Sequence, residues 1–317
     1  MFMVKKIILM FTIALLGLGV VTFLGFFNRF AWIFDLMTHW RWLYMWMAGL
    51  LTIFFTVMHQ QKRVMLAFLL FLINGFLVLH STWSGSYVVQ ADSKDSHQFD
   101  MVLININKHA KDHQQIGEYL DSIRPDIIGL VEFTQKAEIE LVDILTEYPY
   151  TSVSYPRADY DTGVALYSRI PIKASSKELY GGDRISLVNQ MSFTEGEEFS
   201  LLITHPRSPT DADDWQFRNK QLLAIAQAWN NPDSPLIVMG DLNITPWAYP
   251  FNVLLSETDL VDSRRGFGMQ ASWHSHWTWW GIPIDHILVS KDFNVNQREI
   301  GPDVASDHRP VYIQLEL

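Results

Sequence analysis

Three short motifs in the last quarter of the chain hold carboxylates and histidines that could act together on a phosphate ester. They are GDLN at residues 240–243, IDHIL at 284–288 and SDHRP at 306–310. Each motif places a carboxylate at one end of a strand-like apolar run, and strand ends in an α/β sheet are where side chains from distant segments converge on one cleft. A carboxylate beside an amide, a carboxylate that orients a histidine and a further carboxylate next to that histidine suit metal-assisted attack on phosphorus.

The strands that must position these motifs belong to one long stretch, residues 99–317. Short apolar runs such as MVLININ, IIGLVEF and LIVMGDLN alternate there with amphipathic stretches such as HQQIGEYLDSI. Runs of the first kind predict strands, and stretches of the second kind predict helices. The alternation predicts one α/β domain with a single core and many strand-end loops.

The first 80 residues differ in composition and predict a membrane anchor. Three uncharged apolar runs at 7–27, 42–58 and 64–79 are 21, 17 and 16 residues long, and about 20 apolar residues span the hydrocarbon core of a bilayer as a helix. We therefore predict three transmembrane helices in residues 1–80 and a polar linker at 81–98. A buried hairpin of a soluble protein and a cleavable signal peptide are the alternatives.

Basic residues orient this anchor. Lys5 and Lys6 precede the first run, and Lys62 and Arg63 lie in the loop between the second and the third. Because loops rich in Lys and Arg stay on the cytoplasmic side, the N-terminus and this loop are predicted in the cytoplasm. Three crossings then place the α/β domain outside the plasma (inner) membrane, as part of a multi-pass protein.

The part of the chain after residue 80 is strongly acidic. Six of the 24 basic residues and one of the 34 acidic residues lie in the first 80 positions, which leaves 18 basic and 33 acidic side chains and a formal net charge of −15. A protein that grips a nucleic-acid backbone normally presents a basic surface, so a nucleic-acid partner is not expected. The chain has no cysteine, which excludes disulfides, thiolate metal sites and cysteine nucleophiles.

Polar residues at the predicted strand ends follow one another in a known order: Asn105, Asn107, Glu132, His205, Asp241, Asn243, Asp285, Asp307 and His308. With GVALYSR between the glutamate and the first of these histidines, the segments resemble the endonuclease/exonuclease/phosphatase superfamily over residues 99–317. That superfamily includes deoxyribonucleases, abasic-site endonucleases, inositol-phosphate phosphatases and sphingomyelinases. The resemblance implies a four-layer α-β-β-α sandwich, in which two sheets pack face to face with helices outside.

The resemblance also implies a catalytic Mg²⁺ ion, with Mn²⁺ as the alternative. Glu132 corresponds to an acidic ligand of this ion, and Asp307 to a second ligand that binds directly or through water. Oxygen ligands suit such a hard cation, which usually keeps several waters. Asn107 lies where some relatives carry an acidic ligand. Because asparagine adds no charge, the number of metal ions, one or two, stays open.

The same resemblance assigns catalytic roles to the three motifs. Asp241 corresponds to the carboxylate that holds and deprotonates the attacking water, and Asn243 to the residue that orients it. His308 corresponds to the residue that meets the phosphate in the transition state. Asp285 would fix its ring, since a carboxylate on one imidazole nitrogen sets the tautomer and favours the imidazolium.

His205 and Asn105 complete the predicted site. The resemblance implies that His205 hydrogen-bonds a phosphate oxygen or serves the leaving group, although no acidic residue that would orient its ring is identified. Asn105 would support the metal and phosphate site. His286 follows Asp285 on the same predicted strand, and alternation along a strand directs it to the opposite face, so we expect a structural role for it.

The segment at 273–280, WHSHWTWW, is unusually rich in aromatic residues. It could cover a sheet edge, bind an apolar or isoprenoid part of the substrate, or rest on the membrane interface, where tryptophan is favoured. A transition-metal pair at His274 and His276 is a further alternative. Trp247, just after GDLN, is expected on the same surface.

These features together predict a membrane-anchored, extracytoplasmic, Mg²⁺-dependent phosphohydrolase. The membrane helices and the strings THP, GDLNITPW, PIDHIL and SDHRP resemble a bacterial membrane branch of the superfamily that includes glycopeptide (teicoplanin-type) resistance proteins. A site tethered to a bilayer meets membrane-lipid phosphates and lipid-linked pyrophosphates first, so these form the predicted substrate class. The alternatives are an extracytoplasmic nuclease or nucleotide phosphodiesterase, since the same site cleaves both kinds of ester, and a catalytically silent membrane scaffold.

Overall fold

Two six-stranded β-sheets form the framework of the α/β part of the chain. The computed structural model describes residues 2–83, 97–157, 162–193, 196–276 and 279–317. Within these ranges the strands are β1 (Gln98–Asn105), β2 (Ile127–Phe133), β3 (Tyr150–Ser154), β4 (Gly163–Ser168), β5 (Ile172–Glu178), β6 (Ser186–Ser192), β7 (Glu198–Ile203), β8 (Leu236–Asp241), β9 (Val261–Asp262), β10 (Asp285–Val289), β11 (Asn294–Ile300) and β12 (Val311–Glu316). One sheet has the order β11-β12-β1-β2-β4-β3 and the other β5-β6-β7-β8-β10-β9.

Helices cover the outer face of each sheet. In chain order the helices are α1 (Phe2–Leu24), α2 (Trp32–Leu36), α3 (Arg41–Val57), α4 (Gln61–Trp83), α5 (Gln114–Ile123), α6 (Gln135–Glu140), α7 (Val142–Leu145), α8 (Ala212–Ala228) and α9 (Tyr249–Thr258). Leu120 and Ile144 of α5 and α7 pack on the first sheet, and Leu222 and Phe251 of α8 and α9 pack on the second. The predicted α/β class and two-sheet sandwich are confirmed.

Alternation along the strands separates the core between the sheets from the cores under the helices. In β1, Met101 and Leu103 lie between the two sheets, whereas Val102 and Ile104 pack under helices. Strands β7 and β8 alternate in the same way. Because successive side chains point to opposite faces of a strand, each inward-facing row continues past the strand end into the space between the sheets.

The strand directions bring the strand ends that carry the predicted site residues to one edge of the two sheets. β1 runs parallel to β2, and β7 runs parallel to β8. β12 runs antiparallel to β1, and β10 runs antiparallel to β8. The carboxyl ends of β1, β2, β7 and β8 therefore lie beside the amino ends of β10 and β12. These are the ends that carry the motifs described above.

The N-terminal helical module, residues 2–83, contains two helices that are long and apolar enough to cross a membrane. One is Phe2–Phe27, which is α1 extended by a 3₁₀ turn at Gly25–Phe27, and the other is Gln61–Trp83. Helix Arg41–Val57 is apolar but shorter, with 17 residues. At 1.5 Å per residue it is about 25 Å long, against about 30 Å of hydrocarbon. Two of the three predicted helices thus have the length and composition of a membrane span, which a core helix or a signal sequence can share, and the prediction of three transmembrane helices is not confirmed.

The module packs as a bundle of α1, α3 and α4. Leu15, Ala48, Phe55 and Leu70 form its interior. Helix α4 continues to Trp83, so it extends into the predicted linker, and residues 84–96 of that linker lie outside the described residues. The connection between α1 and α3, residues 28–40, is called the connecting segment below.

Candidate active site

The predicted catalytic residues continue the inward-facing rows of the strands. Asn105 ends β1, Asp241 ends β8, and Asp285 begins β10. His205 lies two residues beyond Ile203, which faces the core between the sheets. Asn105 and Asp241 belong to different sheets, and Asn105 Nδ2 donates a hydrogen bond of 3.0 Å to Asp241 Oδ2. The site therefore lies where the two sheets meet at one edge.

Gly240 allows the ends of β7 and β8 to come together. Its φ is +154°, and a Cβ at this position would lie 1.8 Å from the carbonyl oxygen of Thr204. Any side chain here would push apart the two strand ends that carry His205 and Asp241. Residue 240 must therefore be glycine, because two backbone segments approach too closely here to leave room for a side chain.

Asp285 and His308 form a buried hydrogen-bonded pair. His308 Nδ1 lies 2.7 Å from Asp285 Oδ2, and both side chains are buried. Burial disfavours the imidazolium, but Asp285 and Asp241 outweigh it and raise the pKa of His308 to about 10. His308 is therefore protonated near neutral pH, and its Nε2 lies 3.6 Å from Asp241 Oδ2.

Asp241 is a buried acid with a raised pKa. Its Oδ1 accepts a hydrogen bond of 2.9 Å from the backbone N–H of Asn243. Burial and the charge of Asp285 raise the pKa of Asp241, and His308 opposes the rise. A carboxylate whose pKa lies closer to neutrality is a stronger base and suits removal of a proton from water.

Among the described residues, Thr162 binds Nδ1 of the His205 ring, while Asp241 Oδ2 and Glu132 Oε1 lie 3.6 and 4.0 Å from its Nε2. The Nδ1 atom of His205 is 3.0 Å from Thr162 Oγ1, and its Nε2 is 3.3 Å from Asn243 Nδ2. Burial lowers the pKa of His205 to about 4, so the ring is neutral at pH 7 and acts by hydrogen bonding. Sequence reasoning missed Thr162, whose position directly before GVALYSR was the available signal.

Glu132 and Asp307 line a cleft of about 640 Å³ together with Asp241 and His308. Glu132 lies at a β-bulge in the pairing of β2 with β4, and its φ is +59°. Bulges and strained backbone of this kind re-aim side chains beside active sites. Glu132 Oε2 accepts a hydrogen bond of 3.0 Å from the backbone N–H of Lys108.

The donors fit a hard divalent cation. Glu132 and Asp307 offer carboxylate oxygens, which Mg²⁺ prefers, and a cation beside them would relieve the unfavourable charge on Asp241. Asp241, Asp285 and His308 also bring possible ligand atoms within 4.8 Å of one another. In that group Asp285 and His308 already bind each other, and a protonated imidazole has no lone pair for a metal. Glu132 and Asp307 are therefore the better donors.

Three cations border the same cleft, Lys108, Arg184 and Arg207. Arg207 donates to Asp183 and Asp214, which fixes its guanidinium at the rim. Positive side chains at the mouth of a cleft attract anionic substrates, but the two carboxylates bound to Arg207 already balance its charge.

A family model for the endonuclease/exonuclease/phosphatase family matches residues 102–308, which is more than half of the chain. The chain belongs to this family. Members of the endonuclease/exonuclease/phosphatase family are metal-dependent phosphoric ester hydrolases, so the predicted enzyme class is confirmed. A comparison with curated proteins found no significant match.

Solved structures share the fold of this family member. D. rerio TDP2, humanised by 14 mutations, is 16% identical, with a TM-score of 0.56 over 69% of this chain and 98% of that chain. A family protein from Beutenbergia cavernae is 18% identical, with a TM-score of 0.58 over 69% and 72%. The catalytic domain of human Nocturnin is 18% identical, with a TM-score of 0.57 over 70% and 96%. At these identities the likeness establishes the fold.

Two further residues from the sequence analysis have side chains that make local structural contacts. Asn107 has a φ of +55°, and its Oδ1 accepts from the backbone N–H of His109 at 3.0 Å, so it forms a turn and its metal role stays a prediction. His286 packs against Phe251, and its Nε2 lies 2.8 Å from the carbonyl oxygen of Ile244. His286 therefore lies on the opposite face of β10 from Asp285, as the alternation predicted, and its structural role stays a prediction.

The aromatic segment contributes one side chain to the cleft among its described residues. Trp273 lines the cleft, and its Nε1 donates to Asp307 Oδ2 at 3.4 Å. Trp279 and Trp280 are exposed, at 83% and 54%. Trp277 and Thr278 lie outside the described residues.

The other residues expected around this segment differ in their surroundings. His274 and His276 have ring centroids 5.3 Å apart, and His276 pairs with Asp303 at 3.2 Å, which gives it a carboxylate partner at the surface. Trp247 is buried, so it packs inside the domain and does not belong to an exposed aromatic surface.

The connecting segment forms part of the cleft wall, which sequence reasoning missed. Leu36, His39 and Trp40 line the cleft together with His205 and Asn243. These residues lie in the apolar N-terminal part of the chain, and no local motif distinguishes them. Only the fold brings them to the site.

Proposed function

We propose that the protein is a membrane-embedded, Mg²⁺-dependent phosphohydrolase that acts on a lipid-linked phosphate or pyrophosphate outside the plasma membrane. One observation carries this proposal: Leu36, His39 and Trp40, between apolar helices, line the same cleft as Asp241 and His308. A catalytic cleft beside helices that suit a bilayer would meet phosphate groups at the membrane surface. The motif strings favour the membrane branch that includes glycopeptide resistance proteins.

Apolar side chains on the outside of the N-terminal helices support membrane embedding. At least half of the side-chain surface is exposed at Leu9, Ile13, Leu16, Val20, Leu50, Ile53, Leu69 and Leu72. Soluble proteins rarely expose contiguous apolar patches of this extent, and a core helix of a soluble protein would bury them. Helix α3 takes part in this surface, so we include it as a third, shorter crossing.

The ends of the module support the proposed orientation. The connecting segment touches the sandwich, and so does the last turn of α4, where Thr82 O accepts from the backbone N–H of Gly266 at 2.9 Å. The basic pairs at 5–6 and 62–63 lie at the other ends of the helices. Because such residues stay in the cytoplasm, the sandwich would lie outside it.

In the proposed reaction, water attacks phosphorus while the ester oxygen, or the bridging oxygen of a pyrophosphate, leaves. Asp241, held by Asn105 and by the backbone of Asn243, takes a proton from the attacking water as the new P–O bond forms. His308, whose other ring nitrogen is fixed by Asp285, donates a hydrogen bond from Nε2 to a phosphoryl oxygen. Such a donor is most effective where negative charge increases in the transition state.

The other side of the phosphate faces His205 and the metal donors. Glu132 and Asp307 would hold the divalent cation, which polarises phosphoryl oxygens as a Lewis acid. His205 is neutral and hydrogen-bonds an oxygen near the leaving group, which takes its proton from water. These roles require one substrate phosphate to touch both sheets.

A nuclease or nucleotide phosphodiesterase is the alternative activity. A structure of D. rerio TDP2 contains a single-strand DNA product, so nucleic acid is an alternative substrate class for a protein of this fold. The net charge of −15 after residue 80 would repel a polyanion. A silent scaffold is less consistent with the chain, because the predicted catalytic side chains converge within hydrogen-bonding distance of one another.

A phosphate-release panel tests the proposed function. Full-length protein in detergent or liposomes with Mg²⁺ is given polyprenyl pyrophosphate, phospholipids, sphingomyelin, nucleotides and DNA. We expect a lipid-borne phosphate or pyrophosphate to be hydrolysed fastest, and release to stop when EDTA removes the metal. Faster cleavage of DNA would favour the nuclease.

Protease protection tests the orientation separately. We expect protease added to intact cells or spheroplasts to degrade residues 99–317 before the membrane is opened. Protection of this region until lysis would contradict the three-crossing topology.

A further inference from the structure

We infer that the connecting segment is part of the substrate site, where Leu36 and Trp40 bind the apolar chain next to the reacting phosphate and so set the chain-length preference. This inference rests on the proposed function and specifies its substrate. Both residues lie outside the region that the family model matches, 102–308. The proposed binding of the apolar tail by Leu36 and Trp40 therefore does not involve the part of the chain that matches the family.

A buried ion pair fixes the connecting segment in place. Arg218 Nη2 donates to Asp35 Oδ2 at 2.8 Å, and both side chains are fully buried. The same guanidinium donates from Nη1 to the backbone carbonyl of Asn243 at 2.9 Å. One arginine of α8 thus binds the connecting segment and the loop that carries the catalytic GDLN motif. The wall is held at a defined distance from the reaction centre.

Two further contacts join the same surfaces. His39 Nδ1 lies 3.1 Å from Thr245 Oγ1, and burial lowers the pKa of His39 to about 4, so this is a contact between neutral groups. Asn28 Oδ1 accepts from the backbone N–H of Tyr249, in the first turn of α9, at 2.8 Å. The segment is therefore anchored at its start and at its end, and it does not rest on the cleft by one contact alone.

The chemistry of the cleft is divided between its floor and its wall. The floor holds the carboxylates and histidines described above, whereas Leu36 and Trp40 face the cleft together with Ile282 and Ile284. Leu36 and Trp40 are half-buried, which leaves apolar surface available to a ligand. A molecule with a phosphate at one end and a prenyl or acyl chain at the other fits this division, because apolar surface is stabilised by leaving water.

The position of Leu36 and Trp40 indicates from which side the apolar tail of the substrate enters the cleft. Trp40 directly precedes α3, and the connecting segment begins just after the helical span Phe2–Phe27. If these helices cross the membrane, Leu36 and Trp40 lie at its surface. An apolar chain could then reach the cleft without passing through bulk water.

Matched substrates that differ only in chain length test the inference. Full-length protein in detergent is assayed with farnesyl pyrophosphate and dimethylallyl pyrophosphate, which share a headgroup and leaving oxygen. We expect Trp40→Ala to lower kcat/KM for the farnesyl ester about tenfold, equal to about 1.4 kcal/mol, mainly through KM. The dimethylallyl ester should change less than about twofold. Dioleoyl and dibutyryl phosphatidic acid, assayed in the same way, distinguish an acyl chain from a prenyl chain.

Control variants separate binding from folding. Trp46→Ala removes an exposed tryptophan of the same module, 52% exposed on α3, and should change neither substrate. Trp40→Phe should restore most of the activity on the long chain. Equal losses on long and short chains in Trp40→Ala, or no loss on either, would overturn the inference while the proposed function stands. Wild-type protein that cleaves DNA but neither pair of esters would remove both.

A second measurement uses the unmodified protein. A farnesyl pyrophosphate analogue with a photoreactive group on its chain is irradiated with the full-length protein, and the labelled peptides are identified by mass spectrometry. We expect labelling within residues 36–40. Labelling confined to 273–280 would assign the chain to the aromatic segment and overturn the inference.

Discussion

The N-terminal helical module and the catalytic sandwich place apolar side chains in opposite ways. Met101 and Met239 of the sandwich are fully buried between the sheets, whereas Leu16 and Leu50 of the module are 56% and 66% exposed. Burial of apolar surface is the main favourable term in folding in water. This contrast is what we expect if the module folds in lipid, as proposed above, and the sandwich folds in water.

Buried polar groups distinguish the two regions in a second way. In the sandwich they gather at the strand ends, as Asp241 and Asp285 do, where they form the candidate active site. In the connecting segment they gather where the module meets the sandwich, as Asp35 and His39 do. Burying a charge is costly unless it is paired, so these groups show that the contact between the regions is specific.

The largest effect is expected from a change at the catalytic end of the sandwich. Asp241→Asn keeps the shape of the side chain but removes the base. Positioned proton transfer contributes about 10²–10⁴-fold, so phosphate release should fall by at least that range with little change in thermal stability. Asp259→Asn, at an exposed carboxylate beside Lys291, is the control. Near-wild-type turnover in Asp241→Asn would show that another group acts as the base.

A change at the contact between the regions should act on stability. Asp35→Ala leaves the guanidinium of Arg218 buried without its partner, which typically costs about 3–5 kcal/mol. We expect a clearly lower midpoint of thermal unfolding in detergent. Replacing both residues, as Asp35→Leu with Arg218→Met, should cost less than Asp35→Ala alone, because neither charge then remains buried. A double variant that is less stable than the single one would contradict the contact.

The smallest of the three expected effects comes from lysine substitutions at one exposed position of the module and one exposed position of the sandwich. Leu16→Lys places a charge on the exposed apolar face of α1, and a lysine at the centre of a membrane helix costs about 2.5–3.5 kcal/mol on insertion. Ile139→Lys changes a side chain of α6 that is 72% exposed, where surface substitutions cost within about 0.5 kcal/mol.

The readout is the amount of each variant in the membrane fraction relative to wild type. Leu16→Lys should lower it and Ile139→Lys should not. Equal yields would mean that α1 does not face lipid.

Much of the site could be predicted from sequence because strand ends impose a regular geometry. Alternation along a strand explains why Asp285 lies on the inward face of β10, where it reaches His308, and His286 does not. The order of the motifs indicated which strand ends converge, and the family match and the two-sheet fold agree with it.

The other contacts join residues that are far apart in the sequence, and no local sequence pattern indicates such pairs. Asp35 and Arg218 are 183 positions apart, and each looks like an ordinary polar residue in its own segment. Thr162 binds the ring of His205 through a single hydroxyl, and a lone threonine before a strand carries no motif that would indicate this contact.

The ratio of kcat/KM for polyprenyl pyrophosphate to that for plasmid DNA, at equal Mg²⁺ with full-length protein in liposomes, tests the central claim most directly. The apolar module beside the cleft and the net charge of −15 after residue 80 both predict a ratio well above one. Asp241→Asn, measured in parallel, shows which turnover belongs to this site. A ratio below one, with DNA cleavage lost in Asp241→Asn, would contradict the lipid-phosphate account and identify the protein as a nuclease.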